Sequence, residues 1–233
     1  MNKKNLVKRY IIFIFGLFFN AFGVAFVTKA ALGASPIAAI PYSLSLIIPK
    51  LSLGNWTILF NILLVLIQLI ILRKAANKLE LLLQVVICFF FGSFIDLSMI
   101  VLSGFAPQAY LVMIISLLIG CAIIAFGAYL EVIADVVMLS GDAFIRTLAK
   151  VLCKEYGVVR VISDSSMTVI AGILCMIMLG KLSGVREGTV IAALIIGYMV
   201  RFFTLKFQTL TFLLLPENRK SEEHDISIPS RIL

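Results

Sequence analysis

LGASPIAAIPYSLSLIIPKLSLGNW, residues 32–56, is apolar enough for a membrane and too short to cross one. Between the breaks at Ser35-Pro36 and Pro49-Lys50 lie about a dozen residues, with Pro41 a further weak point. At a helical rise of roughly 1.5 Å they cover about 20 Å, against a hydrocarbon core about 30 Å thick. Ser35 is a good N-cap and Pro36 a natural first helical residue, so a helix starts at the break. Its N-terminal amides and dipole place partial positive charge in or near the membrane. Non-helical backbone at that depth is tolerated only inside protein or beside water. Residues 33–50 therefore read as a broken or re-entrant helix beside a solute cavity; the alternative is a lid lying at the outer interface.

The rest of the chain is membrane-like: 62% hydrophobic, 14% charged, with a mean hydropathy of +1.13, far from a soluble domain. Its 20 Lys and Arg outnumber 12 Asp and Glu. They cluster at the ends of apolar runs, with no basic soluble segment to hold a phosphate backbone, so nucleic acid is not an expected partner. Cys88, Cys121, Cys153 and Cys175 lie in or beside apolar runs at no metal or disulfide spacing and read as small core residues. His224, the only histidine, is in the tail. Neither a His/Glu metal set nor a Ser/His nucleophilic pair is present in the spans, so no cofactor, metal or enzymatic activity is expected.

The basic start MNKKNLVKRY runs into an apolar stretch longer than a usual signal h-region, which reads as an uncleaved first span. Further spans follow over 51–72, 81–102, 109–130, 161–179 and 188–205, with the turn SGFAPQ at 103–108. The fold expected is all-α integral membrane: six transmembrane helices plus two short broken or interfacial helices. Charge placement supports that count. With neither short segment crossing, Lys3, Lys4, Lys8, Arg9, Arg73, Lys74, Lys78, Arg146, Lys150, Lys154, Arg160, Lys206, Arg219, Lys220 and Arg231 share the cytoplasmic side, and Lys29, Lys50, Lys181 and Arg186 lie opposite. Both termini are then cytoplasmic. The chain divides into a basic N-terminus (1–9), a first membrane repeat (10–103), a second (109–210) and a polar cytoplasmic tail (216–233).

The two repeats show a faint likeness. Gly16, Gly23, Gly54 and Gly92 recur as Gly120, Gly127, Gly157 and Gly197, at offsets of 104, 104, 103 and 105 residues, and FFFGSFIDL aligns with LIIGYMVRF. Each copy is span, short segment, span, span. Three spans per copy force opposite orientations, an inverted 3+3 repeat. The second short segment, GDAFIRTLAKVLCKEYG (141–157), differs in character from the first. Phe144, Leu148, Val151 and Leu152 share one face and Arg146, Lys150 and Lys154 another, so an amphipathic helix on the anionic cytoplasmic surface is expected.

KAALGASP, followed by LSLGNW and a long apolar span, resembles the small bacterial membrane proteins of the YitT/YczE type over roughly residues 10–205. The resemblance implies a multi-pass protein of the bacterial inner membrane, of a kind often suspected to be a transporter. It implies no substrate.

Polar groups within spans are the remaining pointers. Gly120, Gly127 and Glu131 share a stripe on the fourth span, matched by Gly16, Asn20 and Gly23 on the first, which turns Glu131 toward the bundle as a coupling or cation-binding group. Asp164 sits in SDSS, one turn from Arg160, and its counterpart at the 103 offset is Asn61. Asn61 and Gln68 share a face and also suit helix-to-helix hydrogen bonding. Asp96 and Arg201 are counterparts of opposite charge; inversion places them in opposite halves of the bilayer, so no direct pair is expected. Ser35, Asn61, Asp96, Glu131, Asp164 and Arg201 are thus the candidate solute-binding residues. The function expected is transport or export of a small solute, with a coupling ion or proton as a further partner beside the lipid bilayer, and with oligomerisation left open. A non-transporting accessory or scaffold protein that binds another membrane protein is the alternative.

Overall fold

A computed structural model describes residues 3–73 and 76–207; the tail over 216–233, His224 and Lys74 lie outside them. The described residues form eight helices and no strand: α1 (Lys3–Lys29), α2 (Pro36–Ile47), α3 (Leu53–Leu72), α4 (Lys78–Val101), α5 (Tyr110–Ala134), α6 (Ser140–Leu152), α7 (Tyr156–Leu179) and α8 (Glu187–Lys206). All but α2 and α6 are long and apolar enough to cross a membrane. The spans α4, α5 and α7 extend several residues beyond their apolar runs, because charged residues at helix ends reach water while the backbone continues its hydrogen bonding.

The centre is the crossing of α1 and α5. A Cβ on Gly16 would lie 2.9 Å from the Gly127 carbonyl, and one on Gly23 would lie 3.0 Å from the Gly120 carbonyl. Rising numbers on α1 meet falling numbers on α5, so the helices are antiparallel and their backbones touch at two points. In lipid, where apolar side chains gain little by leaving one environment for the other, such close backbone packing is what holds spans together. Helix α4 packs on α1, and α8 on α5. Around them α3 and α4 pair tightly through Gly54 and Gly92, whose backbones again touch.

The short helices cross between the halves. Most of the packing of α2 is on α7, with less on α3 and α8, while α6 packs on α3, α7 and α4. The link 30–35 is tied to the start of α8: Gly188 N–H donates to the Leu32 carbonyl (2.9 Å) and Arg186 Nη1 to the Ala31 carbonyl (3.0 Å). Gly33, at φ +109°, lies against Thr189, where a side chain has neither the conformation nor the room.

The surface location expected for α6 is corrected by its packing. Ser140, its first residue, is completely buried and bonded to Asn61, the ninth residue of α3, roughly 12 Å along a helix about 30 Å long. The helix therefore starts at mid-depth. Ile37 near the start of α2 lies over Gly141, so the two short helices meet at their N-termini and run outward in opposite directions. At 12 and 13 residues each spans roughly 20 Å, about half the bilayer plus an interface.

Candidate functional site

Two hollows flank α6. The larger, about 370 Å³, lies between its last turns and the start of α7 against Leu148, Leu152, Val158 and Ile162. Its walls are apolar and offer little to orient a solute. The smaller, about 230 Å³, is a polar cleft between α3, α4 and α6. Glu80, Arg146 and Lys150 stand near its mouth, at the basic end of the bundle, and Thr147, Gln68 and Gln84 lie deeper.

The floor of this cleft is a buried polar network. Gln68 and Gln84 are each 1% exposed. Gln68 Nε2 donates to Gln84 Oε1 (3.3 Å) and to the Ser140 carbonyl (3.2 Å). Ser140 Oγ donates to Asn61 Oδ1 (2.7 Å) and accepts from Cys88 Sγ at 3.5 Å. Uncharged amides buried among apolar spans hold position because each finds a partner there. The same bonds fix the N-terminus of α6 at the base of the cleft, with its amides and the positive end of its dipole at mid-depth.

The N-terminus of α2 meets that of α6 but is satisfied differently. Ser35 is its N-cap, yet makes no side-chain capping bond. The residue is 3% exposed, and its Oγ finds no hydrogen-bond partner among the described residues. Pro41, inside α2, has no N–H to give the Ile37 carbonyl four residues back. Polar capacity is thus left over at the start of α2 and used up at the start of α6.

The six candidate residues are placed as follows. Asn61 stands directly behind the cleft floor and Ser35 at the junction of the short helices. Glu131 Oε1 accepts from Asn20 Nδ2 at 2.9 Å across the α1–α5 crossing, so it faces the bundle. Asp164 lies 3.7 Å from Arg160, whose shorter contacts go to Asp142 Oδ1 (2.6 Å) and the Tyr156 hydroxyl (3.0 Å). That cluster ties α6 to the start of α7. Asp96 accepts from Ser52 Oγ (2.6 Å) and the Gly54 amide (2.8 Å), capping α3, where helix charge favours a carboxylate. Arg201 is exposed on α8. None of the six lines the cleft wall. Gln84, Ser140, Asp142 and Thr147 were not signalled by charge within an apolar run. The one available cue was Gln84, an amide at 16 residues from Gln68 in the next span.

Six long apolar helices around two half-length ones define a multi-pass α-helical membrane protein. The chain belongs to DUF6198, a family of unknown function, whose profile matches residues 7–205. No curated protein and no solved structure matches it.

Proposed function

We propose that the protein carries a small polar solute across the bacterial inner membrane by alternating access between two inverted halves. The observation that carries this reading is the polar cleft, which opens at the basic end of the bundle and ends on Gln68 and Gln84, where Gln68 is bonded to the first residue of α6. Discontinuous helices with N-termini at the midplane suit solute binding in secondary transporters. The helix pairings support inversion. Exchanging α1–α4 for α5–α8 turns α1·α4 into α5·α8, α2·α7 into α6·α3, α2·α3 into α6·α7 and α2·α8 into α6·α4, and all of these pairs are packed. The glycine contacts exchange likewise, Gly16–Gly127 with Gly120–Gly23. The clustering of Lys and Arg at one end orients that end to the cytoplasm, and the resemblance of KAALGASP and LSLGNW to the YitT/YczE type agrees with this location. Glu131 is the group we assign to a coupling proton or ion.

The solute class follows from the walls: hydrogen-bonding groups for the two amides and Thr147, and a charge distribution that tolerates Arg146, Lys150 and Glu80 at the mouth. The test uses a Cys153→Ser background, since the other three cysteines are buried. Thr147→Cys in oriented membrane vesicles should react with a membrane-impermeant maleimide from the cytoplasmic face. Gln84→Leu should abolish solute uptake in a proteoliposome screen while the protein stays folded. Labelling from neither face, or full uptake by Gln84→Leu, overturns the proposal. The scaffold alternative draws on α8, of which only Gly188, Thr189 and Ala192 are buried; it predicts a partner protein that protects α8 from labelling.

A further inference from the structure

We propose that Glu155 and Arg201 form a latch that closes the start of α7 against α8 in a second conformation; this rests on the transport reading above. The template is the opposite end of the molecule. There Gly54 and Gly92 bring the backbones of α3 and α4 together, and Asp96 accepts from Ser52 Oγ and the Gly54 amide. Offsets of 103 residues from α3 to α7 and 105 from α4 to α8 convert Ser52 into Glu155, Gly54 into Gly157, Gly92 into Gly197 and Asp96 into Arg201.

None of the equivalent contacts is made. A Cβ on Gly157 or on Gly197 would meet nothing within 4 Å, and α7 and α8 are not a packed pair. Glu155 is the N-cap of α7 but makes no side-chain capping bond. The side chains of Glu155 and Arg201 are exposed, and neither forms an ion pair among the described residues. Gly197 lies mid-helix, where glycine is disfavoured relative to alanine, and nothing near it here requires the missing side chain. A close helix approach in another conformation does.

The charges complete the case. A carboxylate at the N-terminus of α3 is favoured by the helix dipole on its own, as Asp96 is. An arginine at the N-terminus of α7 is disfavoured unless an anion stands beside it. The residue equivalent to Ser52 is that anion, Glu155. The short helices show the same asymmetry. Ser140 Oγ is bonded to Asn61, whereas Ser35 Oγ is buried with no partner among the described residues and Asp164, the counterpart of Asn61, is turned to Arg160. Closing α7 on α8 brings Asp164 toward Ser35 as Asn61 is brought to Ser140. The present structure is thus closed at the α3–α4 end and open at the α7–α8 end, and the second conformation exchanges the two.

The experiment needs no solute. In the Cys153→Ser background, Glu155→Cys and Arg201→Cys together should form an intramolecular disulfide on oxidation in membranes, as the side chains of Ser52 and Asp96 meet at the opposite end. Gly197→Leu, which fills the space of the close approach, should slow that disulfide about tenfold. With Glu155 retained, Arg201→Lys should form a carbodiimide cross-link between α7 and α8 that Glu155→Gln abolishes. A disulfide formed only between two chains, or none, overturns the latch, as does a rate indifferent to Gly197→Leu or a cross-link indifferent to Glu155→Gln. The transport reading is probed separately by Thr147→Cys in the same membranes. Failure to label it overturns that reading whatever the disulfide does, and labelling without a disulfide overturns the latch alone.

Discussion

In the group formed by α3, α4 and α6, the short helix enters between two spans, its first serine is bonded to Asn61, and the far ends of the spans are sealed by Gly54, Gly92 and the Asp96 cap. In the group formed by α7, α8 and α2, the short helix enters in the same way. Yet among the described residues its serine has no hydrogen-bond partner, the matching glycines meet nothing, and Arg201 has no ion pair. The groups share an architecture and differ in which contacts are closed. Stability is therefore held mainly in the first group, while the second keeps polar and steric capacity in reserve. Substitutions at equivalent positions should separate the two.

The largest difference is expected at the glycines. Gly54→Val places a side chain where the Gly92 carbonyl and the Asp96 carboxyl already lie. It should cost more than about 4 kcal/mol or leave no folded protein. Gly157→Val meets nothing and should shift thermal unfolding in detergent by no more than about 0.5 kcal/mol equivalent. Equal losses at the two sites would break the comparison.

A smaller difference is expected at the serines. Ser140→Ala removes a buried donor to Asn61 and an acceptor for Cys88, and should cost about 2 kcal/mol. Ser35→Ala removes a hydroxyl with no partner and should be neutral or slightly stabilising. The unfolding midpoints of the two variants check this directly, and a clear loss in Ser35→Ala would show that its hydroxyl is already engaged.

The smallest effect separates the charged counterparts. Asp96→Ala should cost about 1 kcal/mol, since the capping bonds lie close to the surface, and Arg201→Ala should fall within about 0.5 kcal/mol of the parent. If Arg201→Ala proved the more costly, α8 would be held by contacts that this conformation does not contain.

Much of this fold was legible in the sequence because length and hydropathy are enough to mark a span, and Ser35-Pro36 marks a helix start wherever it falls. The placement of α6 was not. Arg146 and Lys150 gave it the stripe of a surface helix, but in the folded protein they line a cleft. Amphipathic character reports contact with water on one side and apolar surroundings on the other, and a cleft inside a bundle supplies both. The capping contacts of Asp96 were hidden for a related reason. A carboxylate in an apolar run is expected to serve a ligand, but its partners lie 42 and 44 residues earlier, at a helix end that only folding brings near. The cleft floor was hidden because Gln68 and Gln84 carry no charge, and their meaning lies in being opposite one another.

The exchange of short helices between halves also bears on how the chain is made. Helix α6 is synthesised after α3 and α4, so its slot is ready when it emerges. Helix α2 ends at residue 47, and the α7 on which it chiefly packs begins at residue 156, roughly 110 residues later. At about 5–20 residues per second, a nascent chain holds α2 without its seat for roughly 5–20 s. During that interval a half-length apolar helix needs shelter from the insertion machinery or the interface. Synthesis of the first half alone leaves α2 in that state permanently.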